Sequence, residues 1–370
     1  MATTSSSRGR PRPPVGGWFV VVFETGSARS IRTCMPRSAV RVTRDDGMIS
    51  SVGSTTEPDP ALALASDVAE GLGQDPKRIP SRYLYDALGL RLFEAICQLP
   101  WYKITRGESA LLERQGPAIV SGFEGVPTLI ELGAGSGEKL SLLLGPGGHQ
   151  PSMRVHLVDI SPTALTRSKQ TLSQHPEVEI VTHEATYEDG LMMALDQTDR
   201  QRPAMIIFLG SNIGNMASAE SDRFLRTVRR GCRPGDRLLL GADLIKPEEE
   251  IRLAYDDPLG VTAAFAKNLL VRLNREFDGD FDVETFDYHV VWNDQASRVE
   301  SYLVSRLEQV VCLRGAGCCT SLAEGESIWI ESSHKYSADE VVAMGLDAGF
   351  SLRQQWIEPE SHLALTLFEA

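Results

Sequence analysis

Five short apolar runs in the middle of the chain each have the length of a β-strand. They are PTLIEL at 127–132, RVHLVD at 154–159, VEIVTH at 178–183, AMIIFLG at 204–210 and DRLLLG at 236–241. Between them, apolar residues recur with helical spacing, as in 161–174 and 218–231. Strands that alternate with helices predict a doubly wound α/β fold, a parallel sheet with helices on both faces.

The rhythm changes after residue 245. A long helical pattern is followed by hairpin-like strands at 298–313 and 326–333, and the chain ends with a helix and two more strands. This order predicts an insertion late in the sheet, and hence a second, smaller domain; pockets form preferentially where domains meet. We expect a substrate-binding domain made of 61–106 and 246–335, and a cofactor-binding domain made of 107–245 and 336–370.

The first 60 residues differ from the rest. They are rich in Ser, Arg and Pro, and acidic residues are scarce before Asp45. Such a composition is found in transit peptides. The two interpretations we favour are a disordered extension and a start assigned too far upstream, with Met48 as the true start.

Composition and charge limit the classes of partner. The net charge of −13 argues against a general affinity for nucleic acid. No apolar run approaches the roughly 20 residues of a membrane span. The six cysteines are scattered, without metal-ligand spacing, so neither a metal site nor a disulfide framework is indicated. We expect a cytoplasmic monomer that acts on a small molecule, without nucleic-acid or membrane partners.

A glycine-rich turn, ELGAGSGEK at 131–139, follows the first apolar run. Gly133 and Gly135 would let the backbone approach a ligand closely, and the next helix would present free N–H groups. Asp159 ends the second run, where a carboxylate can accept both ribose hydroxyls of a nucleoside. NAD remains an alternative, but its second glycine gap is missing and Glu131 would repel phosphate. If it is not a solvated strand-end charge, Glu131 suits the cationic S-adenosylmethionine (SAM).

A second turn, FLGSNIGNM at 208–216, carries amide and hydroxyl side chains after the fourth run. Together with RYLYDALGLRLFEAICQLPWYKITRGE, LIELGAGSGEK, AYDDPLGVTAAFAKNLLVRLNREFDGDFD and IESSHKYS, it resembles the histidine-specific SAM methyltransferases of ergothioneine biosynthesis. Their wider family includes a dimethylallyltryptophan N-methyltransferase branch. The resemblance extends from about residue 80 to the C-terminus and implies a Rossmann-like class I methyltransferase fold.

The resemblance also implies roles for individual residues. Asn215 and Tyr255 would contact the reacting amine and are the candidate catalytic residues. The full set at the substrate is Tyr85, Tyr102, Gly210, Asn215, Tyr255, Glu331 and Ser333. The set at the cofactor is Gly133, Gly135, Lys139, Asp159 and Tyr187. One departure concerns adenine recognition: many members have Asp-Phe or Asp-Tyr where this chain has Thr186-Tyr187.

The chemistry of Asn215 suits methyl transfer to an amine, because the attacking nitrogen must be neutral. Its amide oxygen accepts an N–H bond without charge, whereas a carboxylate there would raise the pKa of the amine. Positioning then supplies most of the rate enhancement. The alternative is that Asn215 serves only as a turn residue.

Glu331 decides the substrate. It follows Ile328, Trp329 and Ile330, so it is either a solvated edge charge or a buried acceptor that needs a partner. An imidazole N–H would be that partner, with Ser333 facing the same way; an indole would need more room. We therefore predict histidine as the substrate, and the family resemblance implies that its α-amine is trimethylated to the betaine hercynine. A methyltransferase of another amino acid or amine, such as tryptophan, and a non-catalytic binding module remain alternatives.

Overall fold

The computed structural model describes residues 60–123, 125–145, 153–199 and 201–370. The helices are α1 (Pro60–Leu72), α2 (Ala87–Gln98), α3 (Lys103–Ser121), α4 (Glu138–Leu144), α5 (Pro162–Leu172), α6 (Tyr187–Asp196), α7 (Ser218–Gly231), α8 (Glu248–Tyr255), α9 (Val261–Phe277) and α10 (Ala338–Asp347). Across these described ranges, no helix is long and apolar enough to cross a membrane. The predicted N-terminal extension lies outside the described residues.

The strands of the described ranges form three sheets. They are β1 (Lys77–Arg78), β2 (Thr128–Leu132), β3 (Met153–Asp159), β4 (Val178–Glu184), β5 (Ala204–Phe208), β6 (Arg237–Asp243), β7 (Phe286–Asn293), β8 (Arg298–Ser305), β9 (Gln309–Leu313), β10 (Cys318–Leu322), β11 (Ser327–His334), β12 (Ser351–Glu358) and β13 (Leu363–Glu369). All five predicted apolar runs are strands. The largest sheet has the order β12-β13-β6-β5-β2-β3-β4.

The predicted doubly wound fold is confirmed in this largest sheet. Strands β2 to β6 pair in parallel, and β13 and β12 complete one edge in antiparallel pairing. Every residue of β2 and β5 is buried, as expected for strands covered on both faces. Successive side chains alternate between two apolar clusters: Leu129 belongs to one cluster and Ile130 to the other. The two apolar clusters therefore hold the parallel strands, and with them their carboxyl ends, in fixed positions.

The insertion after β6 supplies three strands of a second, four-stranded sheet, and β1 supplies the fourth, in the order β1-β11-β8-β7. The expected hairpin-like strands need one refinement, because 298–313 holds two strands, β8 and β9, that do not pair with each other. β8 pairs with β7 and β11, whereas β9 pairs with β10 in a separate two-stranded sheet. The apolar patterns of β8 and β9 identify each of them as a strand. They do not specify which other strand each one pairs with.

The cysteine prediction also needs correction. Cys312 and Cys319 are joined by a disulfide. They lie directly opposite each other in the β9–β10 pairing, with Cα atoms 4.0 Å apart. Spacing along the chain gave no sign of this pairing, because it depends on where the hairpin turns.

The strands of the second sheet come from the two segments predicted for the substrate-binding domain. β1 lies in 61–106, and β7, β8 and β11 lie in 246–335. However, α3 begins at Lys103 and continues through the predicted boundary at residue 106. The division into two domains stays a prediction.

Candidate active site

The candidate site lies at the carboxyl ends of the central parallel strands. β2 pairs with β3 on one side and with β5 on the other, so the sheet changes winding direction at β2. Open α/β sheets bind ligands at such a switch point. The residues at these strand ends include Gly133, Asp159, Gly210 and Asp243.

The Gly-rich turn after β2 requires glycine for two separate reasons. Gly133 has φ +82°, and a Cβ there would lie 2.9 Å from Asn212 Nδ2. Gly135 has φ +51° and open space where a side chain would be. Its N–H donates to Asp159 Oδ2 at 3.1 Å, and Ser161 N–H donates to Asp159 Oδ1 at 2.9 Å. Asp159 thus ties the turn to the end of β3.

Glu131 is buried, with 3% of its surface exposed, so it is not a solvated strand-end charge. Among the described residues, its Oε2 has no hydrogen-bond partner. Burial raises the pKa of the Glu131 carboxyl to about 8, an effect that Lys139 opposes and Asp159 reinforces. A buried acceptor of this kind needs a partner, and a cationic ligand would provide one. The turn therefore fits SAM, which carries a sulfonium and an ammonium group.

Lys139 is held by a residue that the sequence analysis missed. Its Nζ lies 2.5 Å from Oε2 of the fully buried Glu108. Both oxygens of Glu108 also accept from Gly210 N–H, at 2.8 and 2.9 Å. Glu108 stands between buried Ile104 and Leu112 on α3. Glu108 lies four residues from each of these apolar positions, and residues at this spacing share a helix face. This spacing was the sign in the sequence that Glu108 is buried.

Tyr187 lies beside the Gly-rich turn at the start of α6. Its ring packs edge to face on Phe208, with centroids 5.1 Å apart, and its hydroxyl is 3.5 Å from the Cβ position of Gly133. Burial raises the pKa of the Tyr187 hydroxyl. Thr186, where the chain departs from the family pattern, caps α6: its Oγ1 accepts from the Asp189 N–H at 3.3 Å and donates to Asp189 Oδ2 at 2.8 Å.

Tyr255, at the end of α8, contacts two residues near the end of β11. Its hydroxyl donates to Ser333 Oγ at 2.9 Å and accepts from Lys335 Nζ at 2.7 Å. The ring of Tyr102 lies edge to face with that of Tyr255, with centroids 6.4 Å apart. These contacts bring together residues from α8, β11 and the start of α3.

Tyr85 belongs to the same group. Its ring packs edge to face on Phe93 and Phe265, with centroids 5.6 and 5.4 Å away. Burial raises the pKa of the Tyr85 hydroxyl well above its ordinary value, and the charges of Glu331 and Tyr255 raise it further. Phe93 also packs edge to face on Tyr102, with centroids 6.1 Å apart, so Tyr85 and Tyr102 belong to one aromatic cluster.

Glu331 lies in β11 after an irregularity in the β8–β11 register. Beyond it, Glu331 pairs with Ser301 and Ser333 with Val299, so side chains alternate regularly. Glu331 and Ser333 share a face for that reason. Burial raises the pKa of the Glu331 carboxyl to about 7, and Lys335 opposes the rise. Within the described ranges, no hydrogen bond reaches this carboxylate.

Asn215 ends the 3₁₀ turn Asn212–Asn215 that follows Gly210. The turn packs closely on β11: a Cβ on Gly214 would lie 2.8 Å from the carbonyl oxygen of His334. His334 Nδ1 and the Gly214 carbonyl oxygen are 2.9 Å apart. The side-chain amide of Asn215 is half-buried and makes no hydrogen bond to any described residue. The turn thus lies against the strand that carries Glu331 and Ser333.

The sequence as a whole also matches known proteins. Residues 64–370 match the model of a family described as histidine-specific methyltransferase, SAM-dependent. The chain is 35% identical over 309 residues to the histidine N-alpha-methyltransferase of Mycolicibacterium smegmatis, covering 83% of this chain and 95% of that protein. It is 34% identical to the protein of the same name in Mycobacterium tuberculosis, covering 83% and 94%. It is 27% identical to the L-tryptophan methyltransferase of Psilocybe serbica, covering 91% and 99%.

Proposed function

We propose that this chain, which belongs to the histidine-specific, SAM-dependent methyltransferase family, trimethylates the α-amino group of L-histidine to hercynine. Family membership makes the chain an enzyme that uses SAM. The proposal adds the substrate, the number of methyl groups and the residues that act. Two relatives named histidine N-alpha-methyltransferase, each covered over more than nine-tenths of its length, support histidine as the substrate. Relatives named ergothioneine biosynthesis protein 1 support that pathway as the setting.

The cofactor would be held by the Gly-rich turn. Gly133 and Gly135 leave room for its close approach, Asp159 accepts from its ribose, and Tyr187 packs beside it. Glu131 and Lys139 frame the charged end, where the unpartnered Glu131 oxygen matches a cation. When bound, SAM supplies an electrophilic methyl group.

The reacting amine would lie between Asn215 and Tyr255. Both offer neutral oxygen acceptors, so they orient an amine without favouring its protonated form. Gly210 carries the turn that presents Asn215, and Tyr102 lines the same side through its contact with Tyr255. Each round of methylation removes one N–H, at a cost of about 0.5–1.5 kcal/mol per neutral hydrogen bond. No ion pair is lost, which supports repeated methylation.

The observation that carries the choice of histidine is the carboxylate of Glu331, to which no described residue donates a hydrogen bond. It lies on the same face of β11 as Ser333. A half-buried carboxylate beside a hydroxyl matches an imidazole, which has one N–H donor and one nitrogen acceptor. An indole offers the donor alone. The alternative of a tryptophan-like substrate is kept because of the tryptophan methyltransferase relative.

The deciding experiment is mass spectrometry of a reaction with SAM and an equimolar mixture of the twenty amino acids. We expect histidine carrying one, two and then three methyl groups, with the trimethylated product accumulating. Methylation of tryptophan or another amino acid, with histidine untouched, would contradict the proposal. The same mixture without enzyme is the control for non-enzymatic methylation.

Three further points belong to the proposal. We infer that residues 61–106 and 246–335 act as the substrate-binding domain, and that 107–245 and 336–370 hold the cofactor. We also infer a monomer located in the cytoplasm. Size-exclusion chromatography with light scattering tests whether the protein is a monomer. Fractionation of the source cells tests whether it is located in the cytoplasm.

A further inference from the structure

A lysine that the proposed function does not use lies beneath the substrate residues. The side chain of Lys335, directly after β11, is fully buried. Its Nζ lies 2.9 Å from Asp243 Oδ2, 2.7 Å from Tyr255 Oη and 2.9 Å from Ser333 Oγ. An ammonium group has three hydrogens and no acceptor. Lys335 donates two hydrogen bonds, to the hydroxyl oxygens of Tyr255 and Ser333, and its charge pairs with the Asp243 carboxylate.

The carboxylate partner fixes this ammonium to the large sheet. Asp243 is the last residue of β6 and is buried. Its other oxygen, Oδ1, lies 2.6 Å from Lys246 Nζ. Lys335 also contacts the ring of Tyr255, with Nζ 4.7 Å from the ring centroid. The lysine thus joins the end of a cofactor-sheet strand to two residues of the proposed substrate site.

The hydrogens around Lys335 determine which hydroxyl can donate to a ligand. Because Tyr255 Oη and Ser333 Oγ both accept from Lys335, neither can donate back to it. Tyr255 donates its own hydrogen to Ser333 at 2.9 Å. Ser333 Oγ then accepts twice, and its own hydrogen has no acceptor among the described residues. Without the lysine, this pair could donate in either direction.

We propose that Lys335 is a positioning residue, which orients the Tyr255–Ser333 hydroxyl pair so that Ser333 donates to the substrate ring and Tyr255 offers a lone pair to its amine. The inference rests on the proposed function, because it takes the substrate to be an amino acid with a ring acceptor. Ser333 then supplies the donor and Glu331 the acceptor, a pair that matches the two nitrogens of neutral imidazole. Lys335 acts through these residues and does not touch the substrate.

A double-mutant cycle tests this role. The variants are Lys335→Met, Ser333→Ala and the double variant, each assayed for KM and kcat with histidine and for S-adenosylhomocysteine affinity by calorimetry. We expect Lys335→Met to raise KM about tenfold, the loss of about one hydrogen bond. The double variant should be no worse than the poorer single variant, because contacting residues are coupled. Cofactor affinity should change less than twofold.

A substrate analogue tests the positioning role of Lys335 through the preference in kcat/KM, which a purely structural role of Lys335 would not change. 3-(Pyrrol-2-yl)alanine keeps the ring N–H but lacks the acceptor nitrogen. Wild type should prefer histidine over this analogue in kcat/KM, and Lys335→Met should lose the preference to the same extent as Ser333→Ala. Lys335→Arg, which keeps the charge and the donors, should restore part of it. If Lys335→Met does not fold, Lys335→Gln replaces it, since its amide fills similar space without the charge.

Additive effects in the cycle, or an unchanged preference for histidine in Lys335→Met, would overturn the role. Failure of the proposed function has a different signature: the wild-type enzyme would leave histidine unmethylated. In that case the cycle is run with the amino acid that is methylated. Additivity there would still overturn the role of Lys335.

Discussion

Both carboxylate oxygens of Glu108 accept a hydrogen bond from the backbone N–H of Gly210, at 2.8 and 2.9 Å. The same carboxylate pairs with Lys139 at 2.5 Å. One buried side chain therefore joins the helix that follows the Gly-rich turn to the turn that carries Asn215. The two halves of the proposed site share this anchor.

The first prediction concerns this anchor. Glu108→Ala leaves a buried N–H and a largely buried ammonium without a partner, so the free energy of unfolding should fall by about 3 kcal/mol. Affinity for S-adenosylhomocysteine and KM for histidine should both worsen. Urea denaturation and calorimetry measure these effects. Glu113→Ala, at an exposed position on the same helix, is the control. Equal stability of the two variants would contradict the prediction.

The second prediction concerns pH and Glu131. Its pKa is raised by burial from 4.5 to about 8, so between these values the unfolded state binds fewer protons than the folded state. The stability of the ligand-free protein should therefore be full below pH 4.5 and decline as pH rises towards 8. Glu131→Gln cannot ionise, so its melting temperature should decline less over this range. A cationic ligand should lower the pKa of Glu131, because it favours the ionised carboxylate.

Thermal melts from about pH 5 to pH 9, with and without SAM, measure both effects. We expect SAM to stabilise wild type more strongly than Glu131→Gln. Parallel pH curves for the two ligand-free proteins would show that Glu131 does not titrate as described. An equal stabilisation of both by SAM would remove Glu131 from the cofactor site.

The third prediction concerns the charge beside the amine. Asn215→Asp places a carboxylate where a neutral amide stood, and a nearby opposite charge raises an amine pKa by about 1–3 units. The fraction of neutral amine near pH 7 should therefore fall roughly tenfold to a thousandfold, and kcat with it. The activity should recover as the pH rises. Asn215→Ala adds no charge, so it should lower kcat without shifting the pH profile. If Asn215→Asp and Asn215→Ala had the same pH profile, this would be evidence that Asn215 does not act as a neutral acceptor beside the amine.

The fourth prediction concerns the ring end of the substrate. Glu331→Ala removes an ionic acceptor, a loss of about 1.5–3 kcal/mol, so KM for histidine should rise roughly ten- to a hundredfold, with a smaller fall in kcat. Discrimination against larger aromatic amino acids should relax. Because burial raises the pKa of Glu331 to about 7, wild-type KM should also rise as the pH falls below 7. Glu324→Ala, exposed just before β11, should have no effect; a kcat loss without a KM change would be the contrary result.

Local sequence determined most of the large sheet. Each of the five apolar runs is a strand, and the pattern is clearest in β2 and β5, because residues buried on both sides of a parallel sheet are mostly apolar. The residues at strand ends followed from this: Gly133 and Asp159 could be placed at one edge because parallel strands end together. The resemblance to a known family then connected Tyr255 and Glu331 to a substrate, which periodicity alone could not do.

Tertiary structure decided the contacts between residues far apart in sequence. Glu108 and Gly210 are separated by 102 positions and Tyr255 and Lys335 by 80, and no local pattern specifies such a pair. The same is true of the partner of β9 and of the Cys312–Cys319 bond, which depend on where a hairpin turns. A side chain's polarity is local, whereas its burial and its hydrogen-bond partner depend on how the rest of the chain packs around it. The buried carboxylates and the buried lysine therefore became visible only in the folded protein.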